Sequence, residues 1–357
     1  MPTFPFLKLA PNLQEAITQK LELLDLFLLS QCSKKTFNIV RAVRLKAANK
    51  LVLRINLYAL DEIKLTPSTL NYHFSEALIW NIYHKRDPRG VDLENPMAYK
   101  VHGMEGTIPF CPEDRREFGC ASGLSSYEIF LFIAQIMKLF NAKVYNLNVS
   151  SEQMDCLKGL ISMGALRECT SFDLAWGRVT HEEMSMILEN VQAEKFFTSA
   201  AVDNGFVYDK IISSNWLIIY YGSWINIFKL DCKMIHLISC CGVTNEILNT
   251  FIRRWLNGTD KKLENLHYSP ENDKLLDLTE IVRGLPTVQG SPKRLDATNY
   301  HHFVNRPLSY EDGLDLRRES DGTLATVLLN RHQQNGDVWY SFGFVVWNDP
   351  NPYLIAP

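Results

Sequence analysis

The sequence predicts a mixed α+β / α/β chain: a three-helix N-terminal module, then a degenerate strand–helix solenoid, then an antiparallel β meander. Three observations predict it. Apolar residues at 13, 17, 21, 24 and 28 step by four or three, the spacing of one face of short helices. From Ser125 onward, strand-like runs alternate with helices opened by Ser or Thr, recurring every ~25–30 residues. Past residue 313 the pattern becomes that of strands flanking Asp321-Gly322, a strong hairpin signal.

The N-terminal module occupies residues 1–48. Its third helix is expected to run from a cap at Ser33 to near Lys46. A connecting region, 49–124, carries strand-like runs at Leu51–Leu57 and Ala77–Ile82. The stretch 102–123, with Gly103, Gly106, Pro109, Pro112, Gly119 and Gly123, reads as irregular loop.

Ser125 with Glu128 fits a capping box, followed by Phe130, Ile133, Met137 and Phe140 on one helical face. Tyr145, Leu147 and Val149 alternate with Asn146 and Asn148 as a strand. Ser150 with Gln153 and Thr180 with Glu183 read as two further boxes. Phe172, Leu174 and Trp176 alternate between them as another strand. Strands follow near Lys195–Phe197, Ile235–Ser239 and Leu263–Tyr268, with a Thr244-capped helix closed by Gly258 before the last. Parallel strands need crossover helices, and each such unit buries its face on the next. Trp216–Leu230 fits this rhythm least well. The repeats extend to about residue 285, a loop is expected over 286–306, the meander spans 314–347, and 348–357 is a loose tail.

Composition bounds the function. With 46% hydrophobic and 22% charged residues the 357-residue chain reads as an ordinary globular protein. A net charge of −3 argues against a global electrostatic bid for nucleic acid or an anionic membrane. The basic run Lys34, Lys35, Arg41, Arg44, Lys46, Lys50 is most simply a solvated helix face. Eight scattered cysteines, no Cys-x-x-Cys and no signal-peptide pattern read as reduced thiols in the cytoplasm or nucleus.

No catalytic motif stands out. His181-Glu182-Glu183-Met184 lacks the second histidine of a zinc helix, having Ser185 there, so Thr180 and Glu183 read as a cap. His301-His302 and Glu311-Asp312 sit in expected loops. Cys240-Cys241, just before a helix cap, reads as buried packing. The chain is therefore expected to hold no metal or cofactor and to be no enzyme.

The N-terminal words Leu9, Pro11, Leu13, Ile17, Leu24-Asp25-Leu26 and Leu29-Ser30-Gln31-Cys32-Ser33-Lys34 resemble the F-box. Here Ala10 and Pro11 follow Leu9 where proline usually follows directly, and Lys20-Leu21-Glu22 stands where a proline usually breaks the helices. Further along, Leu139–Val144, Leu230–Leu237, Val243–Asn249, Phe251–Gly258, Leu316–Thr326 and Phe344–Trp347 resemble the F-box-associated domain of the large nematode F-box families. The two likenesses come in the family's order. Together they imply a non-catalytic substrate-recognition subunit of an SCF-type ubiquitin ligase, its receptor domain being the solenoid whose ~25–30-residue period is leucine-rich-repeat-like.

By that resemblance Leu9, Pro11, Leu13 and Ile17 meet a Skp-type adaptor and through it a cullin, while the later domain holds an unidentified protein target. The module is expected to fold as its own unit, with a junction near 49–60. Within the repeats, polar residues alternating with buried ones, Asn146, Asn148, Ser171, Asp173 and His236, are the candidates for target contact. Two other classes stay open on the residues alone: a free-standing interaction module that does not bind the adaptor, and an enzyme whose triad comes from distant positions.

Overall fold

Helices come first and mixed sheets follow, so the class is α+β. The computed structural model describes residues 5–47, 50–58, 62–68, 78–82, 97–99, 108–114, 117–120, 124–271, 276–290, 313–334 and 337–347. It comprises two units, Met1–Ala175 and Trp176–Pro357.

The first unit opens with α1 (Pro11–Thr18), α2 (Leu23–Cys32) and α3 (Lys34–Lys46). Ser33 ends α2 and caps α3, its Oγ accepting from Thr36 N, as the cap chemistry predicts. Its strands are β1 (Leu51–Asn56), β2 (Glu62–Pro67), β3 (Leu78–Ile82), β4 (Met97–Tyr99), β5 (Ile108–Asp114), β6 (Glu117–Cys120), β7 (Lys143–Ser150) and β8 (Cys169–Ala175), in spatial order β4-β5-β6-β3-β2-β1-β7-β8. The strands β5 and β6 correct the loop expected over 102–123; glycine and proline mark strand bends and edges there as well as loops. β1, β7 and β8 pair in parallel, and β2 and β3 add antiparallel.

The helices α4 (Ser126–Phe140) and α5 (Met154–Ser162) flank β7 in the chain. The Ser125–Glu128 capping box forms. The box expected at Ser150–Gln153 does not: a 3-10 turn, Ser151–Gln153, intervenes and α5 starts one residue later without a side-chain cap. α4 buries Ile129, Phe132, Ile133, Ile136, Leu139 and Phe140, so its inner face is turned from the expected one. The helix is apolar on most sides, which blurs the period. Phe130 lies instead over Gly159 of α5, where a Cβ would come 2.5 Å from its ring. Gly159→Val is therefore expected to destabilise the unit by about 1–3 kcal/mol, read by urea unfolding.

Phe27 of α2, Trp80 of β3 and Phe132 of α4 form one aromatic stack. Their ring centroids are 5.3 and 5.5 Å apart in edge-to-face contacts, and each residue is 1% exposed or less. The N-terminal helices thus share a core with the sheet, whereas the junction expected near 49–60 anticipates a detachable module.

The second unit holds β9 (Arg178–Val179), α6 (His181–Asn190), β10 (Ala193–Thr198), β11 (Ala201–Val202), β12 (Ile212–Tyr220), β13 (Leu230–Ile238), α7 (Asn245–Leu256), β14 (Asn265–Ser269), α8 (Leu278–Ile281), β15 (Thr287–Gln289), β16 (Leu314–Arg317), β17 (Leu324–Gln334) and β18 (Asp337–Trp347). β10, β12, β13 and β14 are parallel neighbours in that order. β12 reaches β13 through a 3-10 turn, Ile227–Lys229, rather than an α-helix, which is why the rhythm faltered at Trp216–Leu230. β14 then pairs antiparallel with β18, and β17, β16 and β15 continue the meander outward. β15 falls inside the stretch expected as loop, while 291–312, including His301, His302, Glu311 and Asp312, and the tail 348–357 lie outside the described residues.

The Asp321-Gly322 turn is as expected, with Gly322 at φ +74°. Arg318, 4% exposed, pairs with Asp321 at 2.9 Å and lays its guanidinium 4.6 Å over the Trp255 ring of α7, fastening the turn to that helix. Among the described residues no helix is long and apolar enough to cross a membrane.

Candidate functional site

Helix α1 is packed with its polar side inward. Gln14 and Thr18 are buried, while Leu13 is 51% exposed and Leu9 and Ile17 are half-buried. The local chemistry explains the inversion. Gln14 Nε2 donates to the carbonyls of Leu9 (3.0 Å) and Phe6 (3.3 Å), tying down the turn before the helix. Thr18 Oγ1 donates to Gln14 O at 2.7 Å. Pro11 occupies the first helical position, where its missing N–H costs nothing, so Ala10-Pro11 is a sound helix start. Leu7 and Leu45 are also exposed, and Lys46 holds Glu15 at 3.0 Å, joining the end of α3 to α1. The four residues expected to meet an adaptor thus run from Leu9, just before α1, to Ile17 near its end, with Pro11 and Leu13 bare to solvent.

A second surface lies on the sheet of the first unit. Register places two polar rows across four strands: Lys64–Arg54–Asn146–Ser171 and Glu62–Asn56–Asn148–Asp173, on β2, β1, β7 and β8. The alternation that puts them there buries Leu53, Ile55, Leu147 and Phe172 on the other face, each at 1% exposure or less. A bulge where Leu53 and Arg54 meet β7 brings Tyr145 under the Arg54 guanidinium, 4.4 Å from the ring centroid. Lys64 and Glu62 pair at 2.8 Å. Asn146 Oδ1 and Asp173 Oδ1 are buried with no hydrogen-bond partner among the described residues. Such acceptors favour an incoming N–H donor.

Burial pushes the Asp173 carboxyl up to about 6. In the unfolded chain it titrates near ~4. Between those values the folded state keeps a proton that the unfolded state has released, so this carboxyl favours folding increasingly as pH falls through that window, and its ionised form opposes folding above it. Asp173→Asn should therefore raise stability by about 1–2 kcal/mol at neutral pH after solvent screening, and by almost nothing near pH ~4. Thermal unfolding at both pH values measures it; an equal gain at both would mean that Asp173 does not titrate in this way.

His236, the fifth candidate, belongs to the second unit. It is only 8% exposed, edge-on to His267 with ring centroids 4.2 Å apart, and burial pushes its pKa down to about 4. It is a neutral packed ring, unlike the half-exposed Asn146, Asn148, Ser171 and Asp173. Around it that strand face is aromatic: Lys195 lies 4.3 Å over Trp216, and Phe197 and Tyr220 are 5.4 Å apart. Sequence reasoning missed Arg54, Asn56, Glu62 and Lys64 as members of the polar rows. The signal was the alternation in β1, but its partner β7 is distant in the chain.

The candidate reactive groups are structural. Thr180 and Glu183 form their capping box, and His181 Nε2 lies 3.0 Å from Asp203 O. Cys240 is fully buried, with burial pushing its thiol up to about 12. Cys241 Sγ donates to Glu271 Oε2 at 3.2 Å. Phe172 and Trp224 are core residues, whereas Trp176 and Tyr221 are exposed. Among the described residues no cluster of three His, Cys, Asp or Glu side chains is placed to hold a metal.

No family model matches the chain, and no solved structure matches it. It is similar to uncharacterized protein F59B2.9 of Caenorhabditis elegans, at 22% identity over 350 residues, 92% of this chain and 75% of that one.

Proposed function

We propose that the chain is a non-catalytic, substrate-recognition subunit of an SCF-type ubiquitin ligase. In this reading the N-terminal helices are an F-box that docks on a Skp-type adaptor and through it a cullin, and the parallel strand–helix units are a degenerate solenoid-like receptor for a protein target. The observation that carries the reading is the inverted α1, which spends Gln14 and Thr18 on the inside and leaves Leu13 at 51% exposure beside Pro11. A helix ordinarily hides its apolar stripe; a bare one needs a partner. The polar rows ending at Asp173, with two acceptors awaiting donors, support a second, separate contact for the target.

Affinity purification of the tagged full chain tests this. A Skp-type adaptor and a cullin should co-elute with it. Their absence, with a folded chain, would leave the free-standing interaction module as the better reading.

A further inference from the structure

We propose that the groove between α3 and α4 is a docking site for an acidic peptide segment of a partner protein, anchored by one apolar side chain. The groove has a volume of about 920 Å³, and its floor is apolar, from Phe37 on α3, Leu131 and Ala134 on α4, and Met163 just past α5. Met163 is 49% exposed there. Both helices present a continuous stripe to it. Lys34 and Arg41 are seven residues apart on α3, and Leu131 and Lys138 are seven apart on α4, each pair spanning ~10 Å along its helix. A few residues of extended peptide, or two turns of helix, match that length.

Charge selects the occupant. Lys34, Arg41 and Lys138 rim the groove, and no carboxylate lines it. None of the three makes an ion pair among the described residues, whereas Lys46, Lys64, Lys143, Lys210, Lys229, Lys233 and Lys262 each sit against an acidic side chain. Three uncompensated cations around an apolar floor complement a segment that carries carboxylates on either side of a leucine-like or aromatic anchor. The site is distinct from the α1 surface, since Leu9, Pro11, Leu13 and Ile17 contribute nothing to it. It therefore stands whether or not an adaptor binds α1.

The test is to pan a phage-displayed random dodecapeptide library on the immobilised full chain, then measure the enriched peptides by fluorescence anisotropy. Sequences with Asp or Glu flanking an apolar residue should be enriched. Their affinity should fall tenfold or more in the exposed-charge variant Lys34→Glu/Arg41→Glu/Lys138→Glu and in Ala134→Trp, which fills the floor. It should weaken with added salt and stay unchanged in Leu13→Asp. Circular dichroism confirms that each variant is folded. Lack of enrichment, enrichment of neutral or basic sequences, or affinity that both groove variants leave intact would overturn the proposal. Loss of binding in Leu13→Asp would overturn it too, by placing the peptide on the α1 surface.

Discussion

Leu13→Asp should weaken adaptor capture by a factor of about 100 or more while leaving the fold intact. Half of the Leu13 side chain is already in water, so the substitution removes little core. In the complex the remaining surface would be buried. Covering that half stabilises by about 1 kcal/mol, taking full leucine burial as about 1.5–3 kcal/mol. Leu13→Ala should therefore cost only about fivefold in affinity. Aspartate adds the penalty of drying a carboxylate against apolar atoms, several kcal/mol unless it escapes to solvent. The graded pair of variants separates a hydrophobic contact from a general disturbance of α1. Calorimetric titration with purified adaptor gives both numbers. Equal affinity for wild type and Leu13→Asp would remove α1 from the interface.

Phe27→Ala should destabilise the first unit by about 3–5 kcal/mol, a large part of an ordinary domain's stability. The side chain is 1% exposed and stacks edge-on against Trp80, which in turn stacks on Phe132. Truncation leaves a cavity that the rigid indole cannot fill. Because the three rings come from α2, β3 and α4, the loss should appear in a single urea transition reporting the whole unit. Phe132→Ala should behave alike, and the double variant should cost less than the sum, since both remove contacts to the same ring. A Phe27→Ala effect below about 1 kcal/mol would mean that the N-terminal helices fold apart from the sheet.

The sequence was most legible where one local rule decides the outcome. Ser33, Ser125, Thr180 and Thr244 all cap helices, since a hydroxyl beside orphan N–H groups acts within four residues. The hairpin at Asp321-Gly322 and the alternation of Leu147 and Phe172 against Asn146, Asn148, Ser171 and Asp173 were equally local. Misreadings came where distant partners decide. Ser150 obeys the capping-box pattern, yet β7 runs on through it into a 3-10 turn. α4 carries too many apolar residues for its inner face to be read from periodicity alone. His236 alternates as a polar strand residue, but β14 brings His267 against it and buries both. The exposure of Leu13 on α1 was expected, but its cause, Gln14 reaching carbonyls that precede the helix, is contained in no spacing rule.

Hydrogen–deuterium exchange of the full chain, with and without a saturating purified Skp-type adaptor, tests the central claim most directly. Adaptor-dependent protection should concentrate in residues 7–18, with the β7–β8 strands unchanged. Binding without protection there, or no binding by a folded chain, would contradict it.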